Sequence, residues 1–215
     1  MIRSGMLLAS VAVFALASFG TSAQERVFRY ATTGDILGLD PHMHNHGTTN
    51  AVKGMIYGAL VHRKYDLTLE PDLAESWEMV DDVTWEFKLR EGVTFHDGKP
   101  FTADDVLYSY RRITQDGAEM RNFLANVETV EKIDDFNVRI VTKGPDPILL
   151  QNLSLFFIVD EEYTEANNAF EVALAAGSTN FANLNANGTG PYKLVEWSQD
   201  NQLVMDANEE WYAHE

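Results

Sequence analysis

Three histidines, His42, His44 and His46, alternate within the segment Asp40-Pro-His-Met-His-Asn-His46. On an extended chain alternate side chains share one side, so the segment would present up to three imidazoles to a borderline metal such as nickel or zinc. The chain has no cysteine, and no carboxylate close after Asp40 completes a ligand set. The same residues therefore also read as a polar loop broken by Pro and Asn. His96-Asp97 has the residue types of an oriented acid–base pair. Adjacent residues on an extended chain point to opposite faces, however, and Asp97-Gly98 is first of all a turn signal. Gly92 to Lys99 approaches a phosphate-binding loop, but its first glycine is one place early and Pro100 stands where Ser or Thr would hold magnesium. Gly188-Thr-Gly190 opens like a dinucleotide fingerprint and then has Lys193 where the third glycine belongs. Neither Gly-x-Ser-x-Gly nor His-Glu-x-x-His occurs. The 33 Asp and Glu supply many acidic pairs, none of them marked out for glycoside hydrolysis. A secreted metal-binding protein using His42, His44 and His46 and a secreted hydrolase stay as alternatives, and no cofactor is expected.

The elements that must carry these residues begin after a leader. Arg3, the uncharged apolar run of 14 residues from Met6 to Phe19, and the small residues Thr21-Ser22-Ala23 read as a secretory signal cleaved before Gln24. The run falls short of the roughly 20 residues that span a bilayer. Without cysteine the product carries neither a disulfide nor a Cys-linked lipid, and in a Gram-negative cell its destination is the periplasm. Arg26 to Thr32 reads as a first strand, Gly34 to Gly47 as a loop, and Thr48 to Leu60 as a helix with Val52, Ile56 and Leu60 four apart. Period-two alternation over Leu73 to Leu89 predicts a half-buried hairpin. Thr102 and Asp105 predict a capped helix, with Arg111 and Arg112 suiting its C-terminal dipole and Val106, Tyr110 and Ile113 lining one face. A second hairpin spans Val127 to Ile140, the Asn- and Gly-rich stretch from Asn180 to Gly190 is a loop or linker, and strand alternation resumes over Tyr192–Trp197 and Gln202–Asp206. The reading is a mixed α/β protein, large enough in its 45% apolar content to bury a core. Its 16 basic residues against 33 acidic ones give −17, or −18 once the leader and its one charge, Arg3, are removed. That field repels phosphate backbones and anionic lipid, which sets nucleic-acid binding aside.

Taken in order, several segments resemble the family 5 solute-binding proteins of ABC importers, the peptide and nickel group. They are Leu39-Asp-Pro-His42, Pro71-Asp-Leu-Ala-Glu-Ser-Trp-Glu78, Trp85-Glu-Phe-Lys-Leu-Arg-Glu-Gly-Val-Thr-Phe-His-Asp-Gly98, Pro100-Phe-Thr-Ala-Asp-Asp-Val106, Gly188-Thr-Gly-Pro-Tyr-Lys-Leu194 and Asn208-Glu-Glu-Trp-Tyr212. The resemblance implies a two-lobed type II periplasmic binding protein, here its first lobe alone. Residues 24–60 and 180–215 would form a discontinuous domain I, and residues 61–179 an inserted domain II. Members of the family are longer, and the rest of their chain supplies a second lobe with most of the specificity. On that ground residues 24–215 alone are expected to bind peptides no tighter than about 1 mM. The resemblance also implies capture without chemistry of a peptide or similar solute, delivery to membrane permease subunits, and a monomer at full length. The implied ligand contacts are His44, Asn45, His46, Gly47 and Thr49 in the loop after Asp-Pro-His, with Arg121 after the capped helix. Asp40-Pro41 and Asp97-Gly98 would then be structural.

Overall fold

A computed structural model describes residues 27–172 and 179–213. The expected leader, residues 1–23, lies outside the described residues. By its internal contacts the chain divides into a unit ending at Thr32 and a second unit from Thr33 onward. Of the strand expected over Arg26 to Thr32, the described residues 27–32 form no strand, and Phe28 is 84% exposed, with its ring centroid 5.9 Å from that of Tyr30. Alternation of apolar residues marks a segment that could pair as a strand but does not by itself fix one.

The second unit starts with a turn-rich segment and then α1 (Gly47–Ile56). Val52 and Ile56 point inward as their spacing requires. The helix stops before the predicted Leu60, because residues 57–60 are drawn into extended pairing. Gly58 O accepts Ile158 N–H at 2.9 Å, Ala59 O accepts Leu73 N–H at 2.9 Å, and Leu60 O accepts Ala74 N–H at 3.0 Å. The short hairpin β1 (Val61–Arg63) and β2 (Leu69–Pro71) follows. Next come β3 (Ala74–Asp81) and β4 (Thr84–Leu89), the hairpin expected from period two, with Trp77 opposite Phe87 and Met79 opposite Trp85. β5 (Val127–Asp134) and β6 (Asn137–Thr142) form the second hairpin, and the four join as one antiparallel sheet in the order β3-β4-β6-β5. α2 (Ala103–Ile113) packs on β5 and β6. Its start is fixed as the sequence requires: Asp105 Oδ2 accepts the Thr102 backbone N–H at 2.9 Å. The short helices α3 (Leu149–Leu153) and α4 (Glu161–Ala166) lead to the Asn-rich loop and to the hairpin β7 (Tyr192–Ser198) and β8 (Gln202–Ala207).

Two apolar clusters result. One joins Leu60, Leu73, Phe87, Phe95, Phe101, Val106 and Ile140 with their neighbours under the four-stranded sheet. The other gathers Ile36, Leu39, Val52, Ile56 and Tyr57 with Tyr108, Phe157 and Val159, and the inner face of β7–β8 covers it through Leu194, Trp197, Leu203 and Met205. Side by side, residues 56–60, 156–159 and 188–190 carry the chain between the clusters: Ala59 bridges Phe157, and Gly190 N–H donates to Ile56 O at 2.8 Å. The return loop fits only as glycine. A Cβ on Gly188 would lie 2.0 Å from Ile56 O, and one on Gly190 2.7 Å from Met55 O. Among the described residues no helix is long and apolar enough to cross a membrane.

Candidate solute-binding loop

Asp40 and His42 open the loop, and both are fully buried. Asp40 Oδ1 accepts His42 N–H at 3.0 Å, which turns the chain around Pro41. The carboxylate is then gripped by Arg112 of α2, whose Nη1 and Nη2 donate to Oδ1 at 2.8 Å and Oδ2 at 2.6 Å. Arg112 thus stands in the last turn of α2, where its charge suits the helix dipole, and its side chain is 0% exposed. A third link runs from Arg112 Nη1 to His42 Nδ1 at 3.1 Å, and Ala169 O accepts from Nε and Nη2 at 3.1 and 3.0 Å. Because Arg112 only donates, His42 Nδ1 accepts; its proton is therefore on Nε2, which donates to Phe157 O at 2.8 Å. Burial, together with the charge of Arg112, lowers His42 to about 3, so the ring is neutral. Burial alone would raise Asp40, but the Arg112 charge and hydrogen bonds outweigh it and hold the carboxyl below its ordinary range.

The alternating histidines therefore do not share a side. The backbone turns over residues 41–43, leaving His42 in the core with both ring nitrogens engaged, His44 part-exposed, and His46 exposed at the N-cap of α1. Among the described residues no three His, Asp or Glu side chains gather as metal ligands. Asn45 and Gly47 are exposed beside His44 and His46. Thr49 lies beneath them, fully buried, and its hydroxyl accepts Leu37 N–H at 3.1 Å. Arg121 sits in the 3₁₀ turn Glu119–Leu124, exposed, with Nη1 donating to Asp116 at 2.6 Å. The turn's first residue, Glu119, accepts Asn45 N–H at 2.8 Å through Oε2 and has Oε1 3.6 Å from His44 Nδ1. From below, Lys53 of α1 donates to His44 O at 2.6 Å and Pro41 O at 3.3 Å. Sequence reasoning missed Arg112, Lys53 and Glu119. The signal available for the first was its place with Asp105, Tyr108 and Ser109 on the buried face of α2.

His96 stands apart from this loop. Its Nδ1 accepts Gly188 N–H at 3.3 Å, so its Nε2 donates to Gly190 O at 3.0 Å, and burial lowers its pKa. Asn187 Oδ1 accepts Asp97 N–H at 3.1 Å. The Phe-His-Asp-Gly segment thus clasps the glycine return loop and is structural.

The arrangement matches solved binding proteins. The oligopeptide-binding protein AppA of Bacillus subtilis, solved with a nonapeptide, superposes with a TM-score of 0.74 at 25% identity, over 84% of this chain and 36% of its own. NikZ of Campylobacter jejuni, solved with Ni(L-His), does so with a TM-score of 0.73 at 28% identity, over 84% and 35%. The described fold is therefore that of part of a type II periplasmic binding protein. Residues 68–215 match the model of the bacterial extracellular solute-binding proteins, family 5, and the chain belongs to that family. Its relatives include the dipeptide-binding protein of Escherichia coli, 31% identical over 95% of this chain and 42% of the relative. The heme-binding protein A of Haemophilus influenzae is 32% identical over 89% and 38%. The chain thus spans about two fifths of the length of these relatives.

Proposed function

We propose that this chain belongs to the solute-capturing component of an ABC importer, which takes up a peptide or related small solute in the periplasm and hands it to membrane permease subunits. Family membership supports this, and the exposed His44–Gly47 loop, held rigidly on a buried ion pair, is the observation that carries it to particular residues. His44, Asn45, His46 and Gly47 offer the solute two imidazoles, an amide and open backbone. Thr49 supports them from beneath, and Arg121 extends the same rim. On this reading residues 24–60 with 180–215 make up domain I and residues 61–179 domain II; the cluster around Ile36 to Tyr57 draws mainly on the first set but takes Tyr108, Phe157 and Val159 from the second. Capture needs no bond to be made or broken: closing over the solute is a population shift driven by contacts made only in the closed state. The protein is not an enzyme on this reading. Export follows cleavage before Gln24, which an intact mass of periplasmic material starting elsewhere would refute.

The test is an NMR titration of the protein with Ala-Ala into the millimolar range. Amides of Asn45, His46 and Gly47 should shift with saturation, and His44→Ala with Asn45→Ala should weaken the response, whereas His96→Ala should not. Shifts confined to other surfaces, or equal weakening by His96→Ala in a folded protein, would reject the assignment.

A further inference from the structure

We propose that Lys53 and Glu119 are the positioning residues of the solute loop, holding its main chain from two sides so that the His44, Asn45 and His46 side chains are presented; this role rests on the loop being the solute contact. Residues 41–45 have no strand ladder and precede the helical bonds of α1, which begin at His46 O, so their peptide groups must be held by something else. Lys53 is 1% exposed, and its ammonium lies under the loop, drawing the carbonyls of Pro41 and His44 inward. Glu119 acts from the rim, one carboxylate oxygen on Asn45 N–H and the other toward the His44 ring. Its own N–H donates to Met43 O at 3.0 Å, and Met120 N–H donates to His42 O at 3.4 Å. Together the two residues and the start of the 3₁₀ turn engage a peptide group at every residue from Pro41 to Asn45.

The two charges also depend on each other. Burial lowers Lys53 to about 8, and the nearby Asp40 and Glu119 carboxylates oppose that fall. The Asn45 N–H, then the His44 ring and Lys53, hold Glu119 below the ordinary glutamate range. These are the titratable groups that face Glu119 from the loop and from α1. Neither residue touches solute on this account; each acts through the backbone it fixes.

The experiment follows the Asn45 amide proton in isotope-labelled protein. In the parent, its shift should titrate with a carboxylate whose pKa lies below that of an ordinary glutamate. Glu119→Ala should abolish that titration and speed Asn45 amide exchange by roughly 10- to 100-fold, the loss of one hydrogen bond to a charged acceptor. Exchange in α2 should stay unchanged. Glu119→Gln, whose amide oxygen still accepts, should restore protection without restoring the titration, which assigns the protection to the hydrogen bond and the titration to the carboxylate. Lys53→Met should speed Asn45 exchange while leaving the titration in place. Unchanged Asn45 exchange in both Glu119→Ala and Lys53→Met overturns the proposal. Adding Ala-Ala separates the two readings: a clamp confirmed by exchange with no Asn45–Gly47 response to dipeptide rejects the solute assignment and keeps the clamp. A response equal in parent and Glu119→Ala rejects positioning.

Discussion

Replacing Arg112 by Met tests the centre of the fold most directly. The substitution keeps a long side chain in place and removes the guanidinium, leaving the Asp40 carboxylate at 0% exposure. Its remaining partners are the His42 N–H at 3.0 Å and the Asn180 amide at 3.3 Å. His42 Nδ1 loses its donor as well. Removing one partner of a buried pair costs about 3–5 kcal/mol, because the other charge stays behind unpaired. Against a domain stability of roughly 5–15 kcal/mol that is a large share, equivalent to a fall in Tm of roughly 6–20 °C for a chain of this size. The loss also carries a pH signature. In the parent Asp40 is held below its unfolded pKa, so its stabilising contribution is present at neutral pH and is lost on acidification through the folded pKa. In Arg112→Met the carboxyl is raised instead, and its cost grows as pH increases from the unfolded value through the raised one. The gap between parent and variant should therefore be widest near neutrality and narrow toward pH 4. Urea denaturation of both at several pH values measures it, and Asp40→Asn combined with Arg112→Met should regain at least about 1 kcal/mol at pH 7. A loss below about 1 kcal/mol at pH 7, or a gap that does not change with pH, would refute the reasoning.

Gly188→Ala should cost more than about 3 kcal/mol or prevent folding, since its Cβ would meet backbone at 2.0 Å, while Gly144→Ala, with nothing within 4 Å, should stay within about 0.5 kcal/mol; urea midpoints compare them. His96→Ala strips the Gly188 N–H of its acceptor and should lower stability by about 1–3 kcal/mol in the same assay. His42, lowered to about 3, contributes stability that is present above its unfolded pKa of 6.5 and declines as pH falls from there toward 3. Asp105, which burial raises to about 6, works in the opposite sense, its contribution being lost as pH rises from 3.8 through 6. His42→Gln should accordingly flatten the acid side of a Tm-against-pH profile, and an unchanged profile would show that the ring does not titrate in this way.

What the sequence disclosed followed from local rules. The capped start of α2 is legible because Thr102 and Asp105 satisfy each other within one turn, and both hairpins because alternation over Trp85, Phe87 and Leu89 matches the pleat. The end of α1 is not, because the four-residue spacing of Val52, Ile56 and Leu60 is the same whether residues 57–60 coil or pair with Phe157, Leu73 and Ala74. The proposed solute loop rests on the Asp40-Pro-His42 motif that precedes it. Its supports were hidden because charge at Lys53, Arg112 and Glu119 reads as surface until a partner elsewhere in the chain is known: Arg112 donates to Asp40 across 72 positions, and Glu119 accepts from Asn45 across 74. Alternation of histidines misled for a related reason, since it assumes an extended backbone where Asp40 imposes a turn.

The second apolar cluster draws together stretches of chain that leave the ribosome far apart in time. Ile36 to Tyr57 emerge early, whereas the strands that cover them, with Leu194, Trp197, Leu203 and Met205, emerge much later. At ~5–20 residues per second, the roughly 150 residues between Tyr57 and Met205 take about 7–30 s to make. Over that interval Ile36 to Tyr57 gain first Tyr108 and then Phe157 and Val159 as partners, but still lack the cover of β7–β8. The early segment thus waits for part of its apolar cover until β7 and β8 have been made.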